Sequence, residues 1–214
     1  MSGTYTNQNI GFFLGSIVGL NFKAFTKSHM QHHKLNGQID DQEVYQLQDI
    51  DGWYGVLKYL FSPPKLSSVL VTPLSNRTIK DKTEFPLHLL CCAAFHSLFI
   101  YAQYNYTDNI YLSVLFTLSI PTTAIFFRKM RVLSEHCNHI GKTEPITRSH
   151  KTQWLDSYFF NGFGMNWHVE HHLYPNVPGY RLHKVNAYLC NEQGFSAILP
   201  SGSVLKTLIS VLQK

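Results

Sequence analysis

The stretch NWHVEHHLYP, residues 166–175, contains three histidines with the spacing H-x-x-H-H. The same spacing occurs once before, in HMQHH at residues 29–33. We call these triplets the downstream and the upstream histidine box. In a helix, positions i, i+3 and i+4 point within an arc of about 100°, so each box directs three imidazoles toward one point. Because neutral imidazole is a ligand for iron, zinc and copper, the repeated box favours a metal site over two chance clusters of surface histidines.

The composition of the 214-residue chain indicates a membrane protein of one domain. Hydrophobic residues make up 44% of the chain and charged residues only 14%, whereas charged residues make up roughly 25% of an average soluble protein. The mean hydropathy of -0.11 predicts a few membrane spans and a large polar portion. We assign the net charge of +5 to positive loops at a membrane rather than to nucleic-acid binding, because the sequence has no nucleic-acid motif.

Two apolar stretches, residues 85–104 and 110–127, are predicted to span the membrane, which takes about 20 helical residues. The short segment between them, residues 105–109, predicts a turn that makes the two spans antiparallel. Both boxes then lie on the same membrane face, where they can share one metal centre. Lys and Arg residues flank the two spans but are absent from the turn, so the positive-inside rule places both boxes in the cytoplasm.

The predicted fold is therefore mostly α, a single integral-membrane domain over residues 1–214. It consists of a transmembrane hairpin and a cytosolic, histidine-rich helical cap. His88 and His96, inside the first span, are expected to pack toward neighbouring helices rather than to bind a metal. Pro121 is expected to kink the second span, and Pro175 to end the helix that carries the downstream box.

Four other segments have their own predictions. Residues 10–20 are predicted as a helix that continues into the upstream box, and its regularly spaced glycines allow either close helix contact or flexibility. Residues 35–51 are predicted to face solvent, with acidic side chains that either orient ligand histidines or only face water. Aromatic residues place residues 53–71 and 154–164 at a membrane interface.

Two further segments are polar or amphipathic. Residues 72–84 are predicted to form a basic linker. Residues 203–212 are predicted to form a short amphipathic helix, whose apolar face consists of Leu205, Leu208, Ile209 and Leu212.

These features together resemble the integral-membrane fatty acid desaturase family. The resemblance rests on two H-x-x-H-H boxes around an apolar hairpin, a Glu-His pair at 135–136 and the closing sequence NWHVEHHLYPNVP. It covers about residues 7–189 and is most specific at the downstream box with its Tyr-Pro-x-Val-Pro tail. Members of the family are non-haem di-iron enzymes with cytosolic histidine-rich sites, so the resemblance implies a di-iron centre in the helical cap.

The resemblance also implies a ligand set. The iron ligands would be His29, His32, His33, His136, His168, His171 and His172. His139 is a weaker candidate, which either orients a ligand histidine from behind or faces solvent. Asn166 either forms a hydrogen bond into the site or caps the helix of the downstream box. No catalytic side chain beyond the metal ligands is expected.

One feature departs from the family pattern. Members carry a first histidine box upstream of the second, but no histidine precedes His29 in this sequence. The membrane hairpin that usually precedes that box is missing too. The chain therefore resembles a fragment, a product of a late start codon or a truncated gene. Seven histidines would leave two irons short of ligands, so we expect poor iron binding and low activity of the chain alone.

The resemblance implies an O2-dependent desaturase acting on a fatty acyl lipid, an acyl-CoA or an acyl-carrier substrate. Its electrons would come from a partner such as ferredoxin or a cytochrome b5 type protein. Two alternatives stay open, namely a hydroxylase or ketolase of the same superfamily, and a truncated remnant or accessory subunit without catalysis. A zinc hydrolase is disfavoured, because it needs fewer ligands and no apolar hairpin.

Overall fold

The computed structural model describes residues 2–35, 38, 41, 47, 50, 52–62, 79–136, 147–150, 154–160, 162–192 and 202–212. Every regular element in these residues is helical, in agreement with the predicted mostly α class. The α-helices are α1 (Ser2–Ile17), α2 (Phe22–Leu35), α3 (Gly52–Phe61), α4 (Ile79–Thr107), α5 (Ile110–His136), α6 (Trp154–Phe159), α7 (His168–Leu173), α8 (Leu182–Glu192) and α9 (Val204–Leu212). Short 3-10 helices cover Gly162–Gly164 and Gly179–Arg181.

The chain forms two compact units. The first comprises Met1–Ser28 and Pro63–Phe126, and the second comprises His29–Ser62 and Phe127–Lys214. Both histidine boxes belong to the second unit. The assignment of residues 1–214 to one domain stays a prediction.

The first unit contains α4 and the part of α5 up to Phe126, and the rest of α5 belongs to the second unit. Pro86–Thr107 in α4 and all of α5 are long and apolar enough to cross a membrane, and few of their residues are buried within the chain. A core helix of a soluble protein would be mostly buried, and these two helices are not. Helix α1 packs against α4, where Ser16 Oγ lies 3.3 Å from His88 Nδ1. The predicted packing of His88 toward a neighbouring helix is therefore confirmed.

The apolar helices are longer than the predicted spans. Helix α4 begins at Ile79, so the end of the predicted basic linker is helical, and it runs to Thr107. The predicted five-residue turn is only Asp108 and Asn109. Asp108 takes a left-handed φ of 50°, which Asp tolerates better than most residues. Asn109 Oδ1 then accepts a hydrogen bond from the Leu112 N–H at 3.1 Å and so caps α5.

The helix before the upstream box is not continuous, contrary to the prediction. Helix α1 ends at Ile17 and α2 begins at Phe22. Gly19 between them has a φ of 71°, which a residue with a side chain rarely adopts. The Asn21 side chain accepts a hydrogen bond from the Ala24 N–H at 2.9 Å, and this cap starts α2 as a separate helix.

The core of the second unit lies between α3, α5 and α9. It consists of Leu47, Val56, Tyr59, Val132, Leu133, Val204 and Leu208. The amphipathic helix expected at 203–212 is present as α9, but its apolar face differs from the prediction. Val204 and Leu208 are buried, whereas Leu205 and Ile209 are exposed. Periodicity did not distinguish the two faces, because both carry aliphatic residues.

A buried lysine joins α3 to α5. Lys129 Nζ donates hydrogen bonds to the carbonyl oxygen of Tyr59 at 2.8 Å, to that of Ser62 and to Ser62 Oγ at 3.0 Å. The last carbonyls of a helix have no partner within the helix, and a cation there also interacts favourably with the helix dipole. Lys129 therefore holds the C-terminal end of α3 against α5.

We expect that replacing Lys129 by Met destabilises the second unit. The buried carbonyls of Tyr59 and Ser62 would lose their donor, at about 1–3 kcal/mol per unsatisfied group. The measurement is the thermal unfolding midpoint of the purified protein in detergent. The matched control is Lys58→Met, since Lys58 is exposed on α3. Equal midpoints for the two variants would show that Lys129 does not stabilise the contact.

Candidate metal centre

Three helices bring the predicted ligands together. Helix α2 carries the upstream box, α7 carries the downstream box, and His136 is the last residue of α5. Helix α7 ends at Leu173, immediately before Tyr174 and Pro175, as predicted from the proline. All seven histidines lie in the second unit, where they form two separate clusters.

The first cluster contains four histidines, His32, His136, His168 and His172. His168 Nε2 lies 3.0 Å from His136 Nε2 and 3.2 Å from His172 Nε2. His172 Nε2 lies 3.2 Å from His32 Nε2. Three of the four side chains are buried, so water has little access to this cluster.

The second cluster contains three histidines, His29, His33 and His171, all half-buried. Their Nε2 atoms form a triangle with sides of 3.0, 3.1 and 3.2 Å. The two boxes therefore divide between the clusters, because each cluster takes histidines from both.

The donor chemistry of each cluster fits a metal ion. Two imidazole nitrogens bound to one ion at about 2.0–2.1 Å are separated by roughly 2.8–3.4 Å between octahedral and tetrahedral angles. The observed separations of 3.0 to 3.2 Å match this range. A neutral imidazole has one N–H and one lone pair, so a triangle of Nε2 atoms cannot be satisfied by hydrogen bonds among its members. A cation in the centre satisfies all the lone pairs at once.

The electrostatic surroundings favour the neutral form of the three imidazoles of the downstream box. Burial, followed by the neighbouring His33 and His29, lowers the pKa of His171 to about 3. Burial, followed by His136 and His172, lowers the pKa of His168 well below its usual value. Only a neutral imidazole has a lone pair for a metal, so the site is ready to bind a cation near neutral pH.

Two carboxylates lie next to the ligands, Asp41 behind His32 and Glu135 on the metal-facing side of His168. Asp41 is buried, and its Oδ2 lies 2.7 Å from His32 Nδ1. An N–H at Nδ1 then donates to Asp41 and leaves the Nε2 lone pair for the metal. Glu135 Oε2 lies 3.3 Å from His168 Nε2, while its Oε1 accepts a hydrogen bond from Arg131 Nε at 2.7 Å. Asp41 thus takes the ligand-orienting role proposed for the acidic segment, and its predicted exposure to solvent is wrong.

A third carboxylate anchors the back of α7. Glu170 is fully buried, and its Oε2 accepts a hydrogen bond from Ser149 Oγ at 2.6 Å. Its Oε1 accepts a second one from Asn186 Nδ2 on α8. Ser149 Oγ also accepts from the Val169 N–H at 3.0 Å. These bonds fix the rotation of α7, so that its histidines face the two clusters.

The sequence did not identify Ser149 or Asn186, because each is distant in the chain from the box it supports. His139 and Asn166 were the two candidates for orienting a ligand histidine. His139 lies outside the described residues. Asn166 is buried, and its Nδ2 donates to the His150 carbonyl at 3.3 Å. The position before α7 is Trp167, so the capping alternative for Asn166 is wrong. Asn166 instead holds the segment that carries Ser149.

We expect that Glu170→Ala lowers metal retention without removing any ligand. The buried donors of Ser149 and Asn186 would lose their acceptor, and α7 would lose its fixed rotation. Outer partners of metal ligands typically contribute about 10–100-fold in affinity. The measurement is iron per chain after dialysis against a chelator. Glu170→Gln is the matched control, since its carbonyl oxygen still accepts from Asn186, and it should retain more iron than the alanine variant. Equal iron in wild type and Glu170→Ala would contradict the anchoring role.

A pH dependence follows from His150, whose Nδ1 lies 3.3 Å from the Gly202 carbonyl oxygen. Burial lowers the pKa of His150 to about 4. As pH falls from about 6.5 toward 4, the unfolded chain takes up a proton here and the folded chain does not, so the free energy of unfolding decreases. His150→Asn keeps a donor to Gly202 but does not titrate. We expect the thermal unfolding midpoint of the variant to fall less than that of wild type as the pH is lowered over this window. Equal decreases in the two proteins would contradict the role of His150.

Comparison with known proteins agrees with this geometry. The chain matches a family model described as fatty acid desaturase over residues 2–196. Comparison with curated proteins gives no match, and neither does comparison with solved structures. Since the family model covers most of the chain and includes both histidine boxes, the protein belongs to the fatty acid desaturase family.

Proposed function

We propose that this protein is a membrane desaturase whose seven histidines bind two iron ions, weakly in the chain alone, and whose site introduces a double bond into a fatty acyl chain. The observation that carries the proposal is the convergence of seven Nε2 atoms in two clusters. Membership of the family and two helices able to cross a membrane support the lipid substrate and the membrane location.

The chain's own residues would bind the metal and keep it accessible to O2. One iron would be held by His32, His136, His168 and His172. The other would be held by His29, His33 and His171. The three-histidine cluster supplies fewer ligands and is more exposed, so it leaves more positions open and should release its metal more readily.

The reaction requires a cofactor because no protein side chain can oxidise an unactivated C–H bond. When bound, the iron pair supplies the O2-dependent oxidation that removes one hydrogen atom from each of two adjacent methylene groups. Two electrons from a donor and two protons from solvent complete the reduction of O2 to two molecules of water. The protein favours neutral imidazoles in the downstream box and buries three of the four histidines of the first cluster. It needs no nucleophile or acid–base pair.

The electron donor would be a separate protein, such as ferredoxin or a cytochrome b5 type protein. The net charge of +5 favours an acidic donor, because charge complementarity accelerates association. We further propose that the two apolar helices form an antiparallel hairpin and that the boxes face the cytoplasm, where such donors occur. A hydroxylase or ketolase would use the same ligands, and only the product distinguishes it.

We expect His171→Ala and His172→Ala each to abolish product formation, and each to remove iron mainly from its own cluster. Full-length variants are expressed in a lipid-producing host together with a candidate donor. Fatty acid methyl esters are measured by gas chromatography, and iron per chain is measured on purified protein. The matched control is His183→Ala, since His183 is an exposed histidine on α8 and should leave both readouts unchanged.

Two outcomes would contradict parts of the proposal. Unsaturated product at wild-type level in His171→Ala would show that this histidine is not a required ligand. A hydroxylated acyl product, without a new double bond, would move the protein to the hydroxylase branch while leaving the metal assignment intact.

A further inference from the structure

A buried carboxylate oxygen lies beside the nitrogens of the first cluster. Glu135 is 2% exposed, and its Oε2 lies 3.3 Å from His168 Nε2. The same nitrogen of His168 approaches His136 Nε2 at 3.0 Å and His172 Nε2 at 3.2 Å. Glu135 therefore approaches His168 at the atom that would bind the metal, and not at the back of the ring.

The two oxygens of Glu135 have different surroundings. Oε1 accepts a hydrogen bond from Arg131 Nε at 2.7 Å, which is a usual length for a charge-assisted bond, about 2.7–2.9 Å. The 3.3 Å between Oε2 and His168 Nε2 is long for such a bond. It lies within the roughly 2.8–3.5 Å expected between a nitrogen and an oxygen that bind one ion at about 2.0–2.2 Å. The distance therefore fits two ligands of a common cation better than a donor and its acceptor.

Hydrogen bonds cannot satisfy all the neighbours of His168 Nε2. This nitrogen offers either one N–H or one lone pair, yet two imidazole nitrogens and the Glu135 oxygen all lie within 3.3 Å of it. A buried carboxylate is also costly without positive partners, and Arg131 bonds to the other oxygen. A cation at the first cluster would bind the nitrogen lone pair and the carboxylate oxygen together.

Contacts within the protein fix Glu135 in this position. Its carbonyl oxygen accepts hydrogen bonds from the Arg148 N–H and from Thr147 Oγ1, each at 3.1 Å. Arg131, one turn earlier on α5, holds the side chain. The backbone and the carboxylate of Glu135 are therefore both held next to His136, so the last turn of α5 presents an oxygen and a nitrogen to the same cluster.

We infer that Glu135 is a fifth ligand of the ion in the first cluster, bound through Oε2. The inference rests on the metal binding of the proposed function, and it adds one anionic atom to four neutral nitrogens. A negative ligand offsets part of the cost of burying a divalent cation. The first cluster then holds its ion with five protein atoms, whereas the second cluster, which is more exposed, offers three histidines.

The test is made on the unaltered full-length chain in detergent, with Co2+ alone as the probe. Glutamate is labelled with 13C at the side-chain carboxyl, and the infrared spectrum of the metal-free protein is subtracted from that of the Co2+-loaded protein. The separation between the two carboxylate stretching bands changes when an oxygen binds a metal. We expect a pair of carboxylate bands that move with the 13C label.

Three variants assign these bands. Glu135→Gln should abolish them and raise the Kd for Co2+, measured by competition with a chelator, by at least the roughly 10–100-fold that outer partners of ligands contribute. Arg131→Gln breaks the same ion pair but keeps the carboxylate, so the bands should remain. Asp41→Asn is the matched control at saturating Co2+, because Asp41 contacts Nδ1 of His32 and cannot reach the ion bound at Nε2.

The outcomes separate this inference from the proposed function. A chain that binds Co2+ without any label-sensitive carboxylate change would show that Glu135 is not a ligand, and it would leave the histidine assignment intact. Bands that persist in Glu135→Gln would assign them to another glutamate, with the same consequence. A chain that binds no Co2+ would overturn the metal proposal and this inference together. Since the first measurement needs no substitution, misfolding of a variant cannot rescue the inference.

Discussion

The structure depends on one constraint, which is that the Nε2 atoms of seven imidazoles lie 3.0 to 3.2 Å from neighbouring Nε2 atoms in two clusters. Lone pairs at this distance repel unless a cation lies between them, and protonation would bring positive charges together. Burial and mutual repulsion therefore keep the pKa values of His168 and His171 low. A site of this kind holds its shape only if rigid contacts elsewhere position the helices that carry it.

Buried carboxylates provide much of that rigidity. Asp41 orients His32, Glu135 lies beside His168, and Glu170 holds α7 from behind through Ser149 and Asn186. A buried carboxylate is unfavourable without partners, and each of these three has at least one close polar contact. Asp41 and Glu135 also place negative charge next to a cation, whereas Glu170 acts at a distance by fixing the rotation of a six-residue helix.

Local rules predicted the parts of the fold that depend on a few neighbouring residues. The spacing of each box identified six of the candidate ligands, Pro175 marked the end of α7, and the apolar stretches located the cores of α4 and α5. The same reasoning failed at Val18–Asn21, where a left-handed glycine and an asparagine cap divide a predicted helix. It failed again on α9, where both faces carry aliphatic residues and only the packing against α3 selects Val204 and Leu208 for the core.

The sequence by itself determined the candidate ligands of each box, since helical spacing within five residues decides that three imidazoles of a box point the same way. Only the tertiary structure decided how the boxes divide between two clusters. His29 and His171 meet across 142 positions of the chain, and Ser149 and Glu170 across 21. Contacts over such distances depend on the packing of whole helices, which residue spacing does not encode, and for this reason Ser149 and Asn186 were found only in the folded protein.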